Sequence, residues 1–177
     1  SFVNHPSINV TQFRRNNPYE YSHTDPVKLL TVGRLHWKKG LDFGLLAVKK
    51  LVDDGVSVHY DIVGGGPEDE KLHFMLHDLG LLSHVKLWGP QSSGFVRQMM
   101  ETADIFWLPS LSEGLSNAAL EAMAMELPIV STTAGGMSEA ILDQQEGFLV
   151  PPYDIYALAE KTKILIGDGT LRLRMGR

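Results

Sequence analysis

The sequence predicts an α/β domain, a parallel β-sheet covered by helices on both faces. Three observations carry that prediction. Short apolar runs recur at residues 28–33, 58–63, 85–88, 105–108, 128–131 and 147–150. Stretches with helical spacing separate them, at residues 39–54, 67–79, 94–102, 117–126, 137–142 and 154–166. The apolar runs are continuous rather than alternating, so each strand is covered on both sides, and strands that take turns with helices form right-handed βαβ units. The outcome is a Rossmann-like sheet, in which ligands sit at the carboxyl ends of the strands and function is sought in the loops that follow them.

Composition bounds the rest. The 177 residues suffice for one domain with a real core, and 44% hydrophobic with 21% charged residues is ordinary for a compact protein. A formal charge of -5 offers no broad positive field for nucleic acid, although a small anion can still be held locally. The absence of cysteine removes disulfides, a thiol nucleophile and Cys-based zinc sites. No apolar run approaches the roughly 20 residues of a membrane span. Residues 1–26, with Pro6, Pro18 and Pro26 and little periodicity, read as a linker, and residues 27–177 as the ordered domain. The last residues read as a basic helical segment cut midway, so the chain is expected to be a fragment.

The loop after the first strand is Gly33-Arg34-Leu35-His36-Trp37-Lys38-Lys39-Gly40. It sets Arg34 at a strand end and Lys39 at a helix start. A single basic loop residue is usually just solvated, but two converging on the carboxyl edge of a sheet favour a phosphate site. The second loop, Val63-Gly64-Gly65-Gly66-Pro67-Glu68, allows close backbone approach to a ligand. It is not a dinucleotide fingerprint, because Pro67 breaks the glycine spacing and three acids follow.

The loop after the fourth strand is the most specific. Ser110-Leu111-Ser112-Glu113-Gly114-Leu115-Ser116-Asn117 leads into Ala118-Ala119-Leu120-Glu121-Ala122-Met123-Ala124. Ser116 or Asn117 is a natural N-cap, leaving first-turn amides free to meet an anion. Glu121 lies one turn beyond Asn117, and helical side chains lean towards the N-terminus, so its carboxylate reaches a ligand there. Glu121 also sits in an otherwise apolar run, where a lone carboxylate needs a polar partner. Glu113 taken alone reads equally well as a surface acid near a favourable helix dipole.

With these pieces in order, the chain resembles the C-terminal domain of the GT-B-fold retaining glycosyltransferases known as glycosyl transferases group 1. The likeness runs over nearly the whole chain, from His5-Pro6-Ser7-Ile8-Asn9 through Val32-Gly33-Arg34-Leu35, Lys39-Gly40 and Val63-Gly64-Gly65-Gly66-Pro67. It continues in Val85-Lys86-Leu87-Trp88-Gly89, Ala103-Asp104-Ile105-Phe106, Ser112-Glu113-Gly114-Leu115, Glu121-Ala122-Met123-Ala124, Ser131-Thr132-Thr133-Ala134-Gly135-Gly136, Glu139 and Gly147-Phe148-Leu149-Val150. The resemblance implies that Glu113 and Glu121, with seven residues between them, are the family's paired glutamates, the first near the donor sugar and the second on the ribose. It implies that Arg34 and Lys39, beside Gly33, hold a diphosphate. Trp88, Gly89 and Gln91 would line the base, with Gly65 close by, while Gly114, Leu115 and Ser116 supply backbone to the phosphates and Asn117 packs beside the nucleotide. Ser116 stands where glycine or proline is frequent, and Glu126 where a small residue is usual.

By the same resemblance the donor is a nucleoside diphosphate sugar, with UDP mildly preferred over GDP or ADP, and no cofactor is required. The partner is the protein's own N-terminal acceptor-binding domain, and the location is cytoplasmic, with any membrane contact made through that other domain. Three competitors are weighed: a non-catalytic nucleotide-binding regulatory module, a nicotinamide-dependent dehydrogenase and a nucleotide-sugar epimerase of the same architecture. His73 and His77 have metal-ligand spacing but no third ligand. Trp37 and the helical methionines read as packing.

Overall fold

A computed structural model describes residues 13–16 and 26–177. Six strands, β1 (Val27–Val32), β2 (Val58–Val63), β3 (Val85–Leu87), β4 (Ile105–Leu108), β5 (Ile129–Thr132) and β6 (Gly147–Val150), form one sheet in the order β3-β2-β1-β4-β5-β6. Every neighbouring pair is parallel. The order reverses between β1 and β4, and that switch point opens a crevice at the carboxyl ends of the strands. Every residue of β4 and β5 is buried, as their uninterrupted apolar runs require.

Two cores sandwich the sheet. One face carries α1 (Leu41–Asp53), α2 (Asp69–Asp78), α6 (Ile155–Gly167) and α7 (Gly169–Gly176), packed on Leu29, Tyr60, Ile62 and Trp107. The other carries α3 (Ser93–Thr102), α4 (Asn117–Ala124) and α5 (Met137–Ala140), packed on Leu30, Val63, Phe106 and Leu108. Alternate residues of a strand thus feed opposite cores, as the pleat dictates. A chain of hydrogen bonds links polar side chains inside the first core. Tyr60 donates to Thr31 Oγ1 at 2.7 Å, Thr31 donates to the Trp107 carbonyl at 2.6 Å, and Trp107 Nε1 donates to Thr162 on α6 at 2.8 Å.

The helix ends differ from expectation for local reasons. A 3₁₀ turn, Trp37–Lys39, precedes α1, and Gly40 in left-handed backbone (φ 58°) joins the two. A β-carbon on Gly40 would lie 2.1 Å from the Pro109 carbonyl oxygen, so glycine is required both by the turn and by the contact with the β4 loop. Helix α4 ends at Ala124, two residues early, because Glu126 turns left-handed (φ 58°) to feed β5. The terminal basic segment forms α7, capped by Asp168, which accepts from Leu171 N at 2.9 Å. Its basic character is not a solvated face. Arg172 is buried, and its guanidinium donates to the Leu165 and Ile166 carbonyls at the end of α6, where the helix dipole favours a cation.

Part of the segment expected as linker packs on the domain. Phe13 is buried among α3, α4 and α5, and Arg15 donates to the Met100, Glu101 and Met125 carbonyls at the ends of α3 and α4. Residues 1–12 and 17–25, including all of the His5 to Phe13 stretch except Phe13, lie outside the described residues.

Candidate nucleotide-binding site

The crevice is built by tying the loop after β1 to the loop after β4. Leu111 N and Ser112 N donate to the Lys38 carbonyl at 2.7 and 3.2 Å. Across the same junction Lys39 Nζ forms an ion pair with Glu113 Oε2, and Ser110 Oγ donates to that oxygen at 3.3 Å. The side chains of the pair are 18% and 16% exposed, so the contact is shielded on most sides but open to a ligand. Lys39 reaches Glu113 along Gly33, where a β-carbon would touch its Cε at 3.4 Å.

The β5 loop supports the arrangement from behind. A β-carbon on Gly135 (φ 68°) would overlap the Glu113 carbonyl oxygen at 1.4 Å, so this glycine lets the two loops meet. Thr132 Oγ1 donates to the Ser110 carbonyl at 2.5 Å, fixing the start of the Glu113 loop to β5.

Two depressions flank this junction and share Arg34. One, of about 270 Å³, is lined by Arg34, His36, Lys38, Lys39, Ser112 and Glu113. The other, of about 280 Å³, opens between the ends of β1, β2 and β3 and is lined by Val32, Gly33, Gly65, Pro90, Gln91 and Arg34 among others. Arg34 is exposed and has no hydrogen-bond or ion-pair partner among the described residues. The first depression is therefore basic, with one acid already matched to one lysine. The second is walled by backbone, proline and valine, a surface suited to a flat ring.

The structure thus brings Arg34, Lys39 and Glu113 together, and Gly33, Gly65 and Gln91 beside them. Trp88 stands at the edge of this second depression with its ring turned away. Its indole Nε1 donates to Asp61 at 2.7 Å, its ring meets Phe95 at 5.1 Å, and the Lys86 ammonium lies 3.6 Å from its centroid. The ring faces the α3 side of the sheet and does not line the second depression. Trp88 contributes its backbone instead, accepting from Gln91 Nε2 at 2.9 Å, and the Gly89 carbonyl accepts from Gly64 N at 3.0 Å. Asp61 in turn accepts from Trp88 and lies 3.4 Å from His59 Nε2. Burial pushes its carboxyl up, but the hydrogen bonds from His59 and Trp88 outweigh that and hold it below its ordinary value.

Of the two residues open as N-cap of α4, Ser116 takes the role, accepting from Ala119 N at 3.4 Å while its own N–H points at Met137 Sδ. Gly114 and Asn117 are exposed and Leu115 is half-buried. Glu121, half-buried on α4, has no hydrogen-bond or ion-pair partner among the described residues. Burial raises its carboxyl above the ordinary value, as expected of a carboxylate that lacks a partner.

His36, Lys38, Ser112 and Pro90 were missed as site residues. The first two stand in the same basic loop as Arg34 and Lys39, and that run of donors was the available signal. His73 and His77 are exposed on α2, and among the described residues no group of three His, Asp or Glu side chains is arranged for a metal ion. No helix among them is long and apolar enough to cross a membrane.

The family model described as "Glycosyl transferases group 1" matches residues 13–177. The amylovoran biosynthesis glycosyltransferase AmsK of Erwinia amylovora is 37% identical over 140 residues, covering 76% of this chain and 34% of the relative. Among solved structures, the C-terminal domain of a glycosyl transferase group 1 protein (LpcC) from Francisella tularensis superposes with a TM-score of 0.83 at 21% identity, covering 97% of this chain and 93% of that one. Anabaena Alr3699/HepE in complex with UDP gives a TM-score of 0.83 at 22% identity over 96% of this chain and 48% of that one. The chain spans about a third of the length of the first curated relatives it matches. The sheet has the Rossmann-like fold of the C-terminal half of a GT-B architecture, and the chain belongs to the glycosyl transferases group 1 family.

Proposed function

We propose that this chain is the donor-binding half of a retaining glycosyltransferase, which moves a hexose-type sugar from a nucleoside diphosphate to an acceptor in polysaccharide or glycoconjugate synthesis. The observation that carries the reading is the convergence of Arg34, Lys39 and Glu113 on one cavity at the switch point. The amylovoran assignment of one relative and the UDP bound by another are consistent with it.

The hard step in such a transfer is departure of the nucleoside diphosphate while positive charge grows at the anomeric carbon. Fixed positive groups aimed at the departing phosphates lower that barrier most. Arg34, Lys39 and the amides at the start of α4 are those groups here, so the leaving group is stabilised by the protein and needs no metal ion. Lys39 is held by Glu113 before the donor arrives. An arriving diphosphate competes for the ammonium, and the exchange frees the Glu113 carboxylate to accept hydroxyls of the donor sugar. Glu121, unpartnered on α4, accepts the ribose hydroxyls. The base lies against Gly65, Pro90 and Gln91, with UDP mildly preferred.

The acceptor is bound by the N-terminal domain and the site is completed by closure between the two, so this chain alone binds a nucleotide and transfers nothing. The reading includes a cytoplasmic location, with any membrane contact made through that other domain. Incubating the full-length protein with nucleotide sugar and acceptor tests it. A new glycoside of unchanged anomeric configuration is expected, and Arg34→Ala lowers turnover far more than stability. An epimerised donor, or nucleotide binding with no turnover, would replace this reading with an epimerase or a regulatory module.

A further inference from the structure

The loop after β6 and the first turn of α6 form another depression with the start of α1, of about 590 Å³, outside the donor crevice. Its wall is aromatic, with Phe43, Tyr153 and Tyr156 set among Pro151, Pro152 and Asp154. Tyr153 and Tyr156 are 60% and 64% exposed, so this fold does not bury them. Tyr153 also sits in left-handed backbone (φ 68°), which a bulky side chain rarely adopts and glycine would hold without strain. An aromatic kept in a strained turn yet left in water is not explained by packing within the domain, and such strain gathers at binding sites. Phe43 meets Tyr153 edge to face, with centroids 5.1 Å apart, which fixes the ring while most of its surface stays in water.

Charge decides the class of ligand. The wall carries one carboxylate and no cation, so phosphates and polyanions have nothing to hold them. One oxygen of Asp154 caps α6, accepting from Ala157 N at 2.8 Å, and the other has no partner among the described residues. Flat aromatic faces that meet the C–H bonds of a pyranose ring, with tyrosyl hydroxyls and a carboxylate for its hydroxyls, are the chemistry that binds a neutral sugar. Phe43 and Tyr153 also line a narrow cleft with Pro109, on the loop that leads to Glu113, so a sugar held here lies on the same edge of the sheet as the donor crevice.

We propose that Tyr153 and Tyr156 form a stacking platform for a neutral hexose ring of the glycan on which the enzyme works. The inference rests on the donor-binding reading, since that reading supplies the glycan. It is tested by recording the amide NMR spectrum of this chain with millimolar maltose, cellobiose or lactose, and separately with UDP, GDP or ADP. At least one disaccharide is expected to give saturable shifts at Phe43 and at residues 153–157. The double variant Tyr153→Gly/Tyr156→Ala, which also relieves the strained turn, is expected to weaken that binding by about tenfold while keeping its Tm and its nucleotide affinity.

Sugar shifts that persist unchanged in the double variant would overturn the platform. So would nucleotide binding with no response to any of the three disaccharides, an outcome that leaves the donor reading standing. Broadening of these amides that depends on protein concentration, without sugar, would assign the surface to a second copy of the chain instead. If no nucleotide binds either, the donor reading falls and the platform falls with it.

Discussion

The Lys39–Glu113 pair predicts that two substitutions in one contact have opposite effects on nucleotide binding. Both side chains are less than a fifth exposed, so the pair lies between a surface bridge and a buried one. At about 4 Å and an effective dielectric near 20, two unit charges attract by roughly 4 kcal/mol, of which desolvation and side-chain ordering leave about 1 kcal/mol net. A diphosphate must displace that much to recruit Lys39. Glu113→Gln removes the competition and should tighten UDP binding by about fivefold. Lys39→Met forfeits a charge-assisted phosphate contact of about 1.5–3 kcal/mol, offset by the pair no longer broken, so UDP binding should weaken by roughly 2- to 30-fold. Calorimetric titration of UDP into the wild type, both single variants and the double variant, at one fixed salt concentration, closes the cycle. Equal weakening by Glu113→Gln and Lys39→Met would refute partner exchange and make the pair a fixed unit of the site.

Two further predictions rest on carboxylates. The folded state holds the Glu121 carboxyl above its ordinary value of 4.5, so this group favours folding below that pH and the benefit is lost as pH rises through the raised value. At neutral pH Glu121→Gln should therefore leave the Tm equal or higher in a melting experiment, while weakening nucleotide binding by at least about tenfold through the lost ribose contact. Asp61 has the opposite sign: its carboxyl is held below 3.8, so its stabilisation is present above that pH and is lost as pH falls through the lowered value. Asp61→Ala, which orphans the Trp88 indole, should cost about 1–3 kcal/mol in urea unfolding at pH 7, with the difference shrinking in acid.

Much of the fold was legible because burial on both faces leaves a plain trace. The runs Ile105-Phe106-Trp107-Leu108 and Pro128-Ile129-Val130-Ser131 have no polar alternation, and they became the buried strands β4 and β5. The loops that follow β1 and β4 were legible as neighbours at the candidate site for the same reason, since strand ends locate the switch point once the sheet is parallel. Pairing across the site was not. Lys39 and Glu113 are 74 residues apart, and both were expected to meet the donor; nothing local states that they meet each other first.

The orientation of Trp88 was not legible either. Its place at the end of β3 was right, but the side on which its ring lies was decided by Asp61, a carboxylate inside the apolar strand Val58–Val63. That acid was a visible anomaly, and its need for a donor was the missed signal. Tyr153 and Tyr156 left no trace of their role, because a positive φ at a non-glycine residue is settled by the turn into α6 and not by residue type.

A nucleoside diphosphate that occupies the crevice at the β1/β4 switch point, held by Arg34, stabilises the folded chain by mass action. Thermal melting of this chain with UDP, GDP and ADP, in the wild type and in Arg34→Ala, measures that stabilisation. One nucleotide, with UDP favoured, should raise the Tm selectively, by roughly 5–10 °C at a hundred times its Kd, and Arg34→Ala should reduce that shift while leaving the unliganded Tm unchanged. No shift with any of the three nucleotides, or a shift that Arg34→Ala leaves intact, would contradict it.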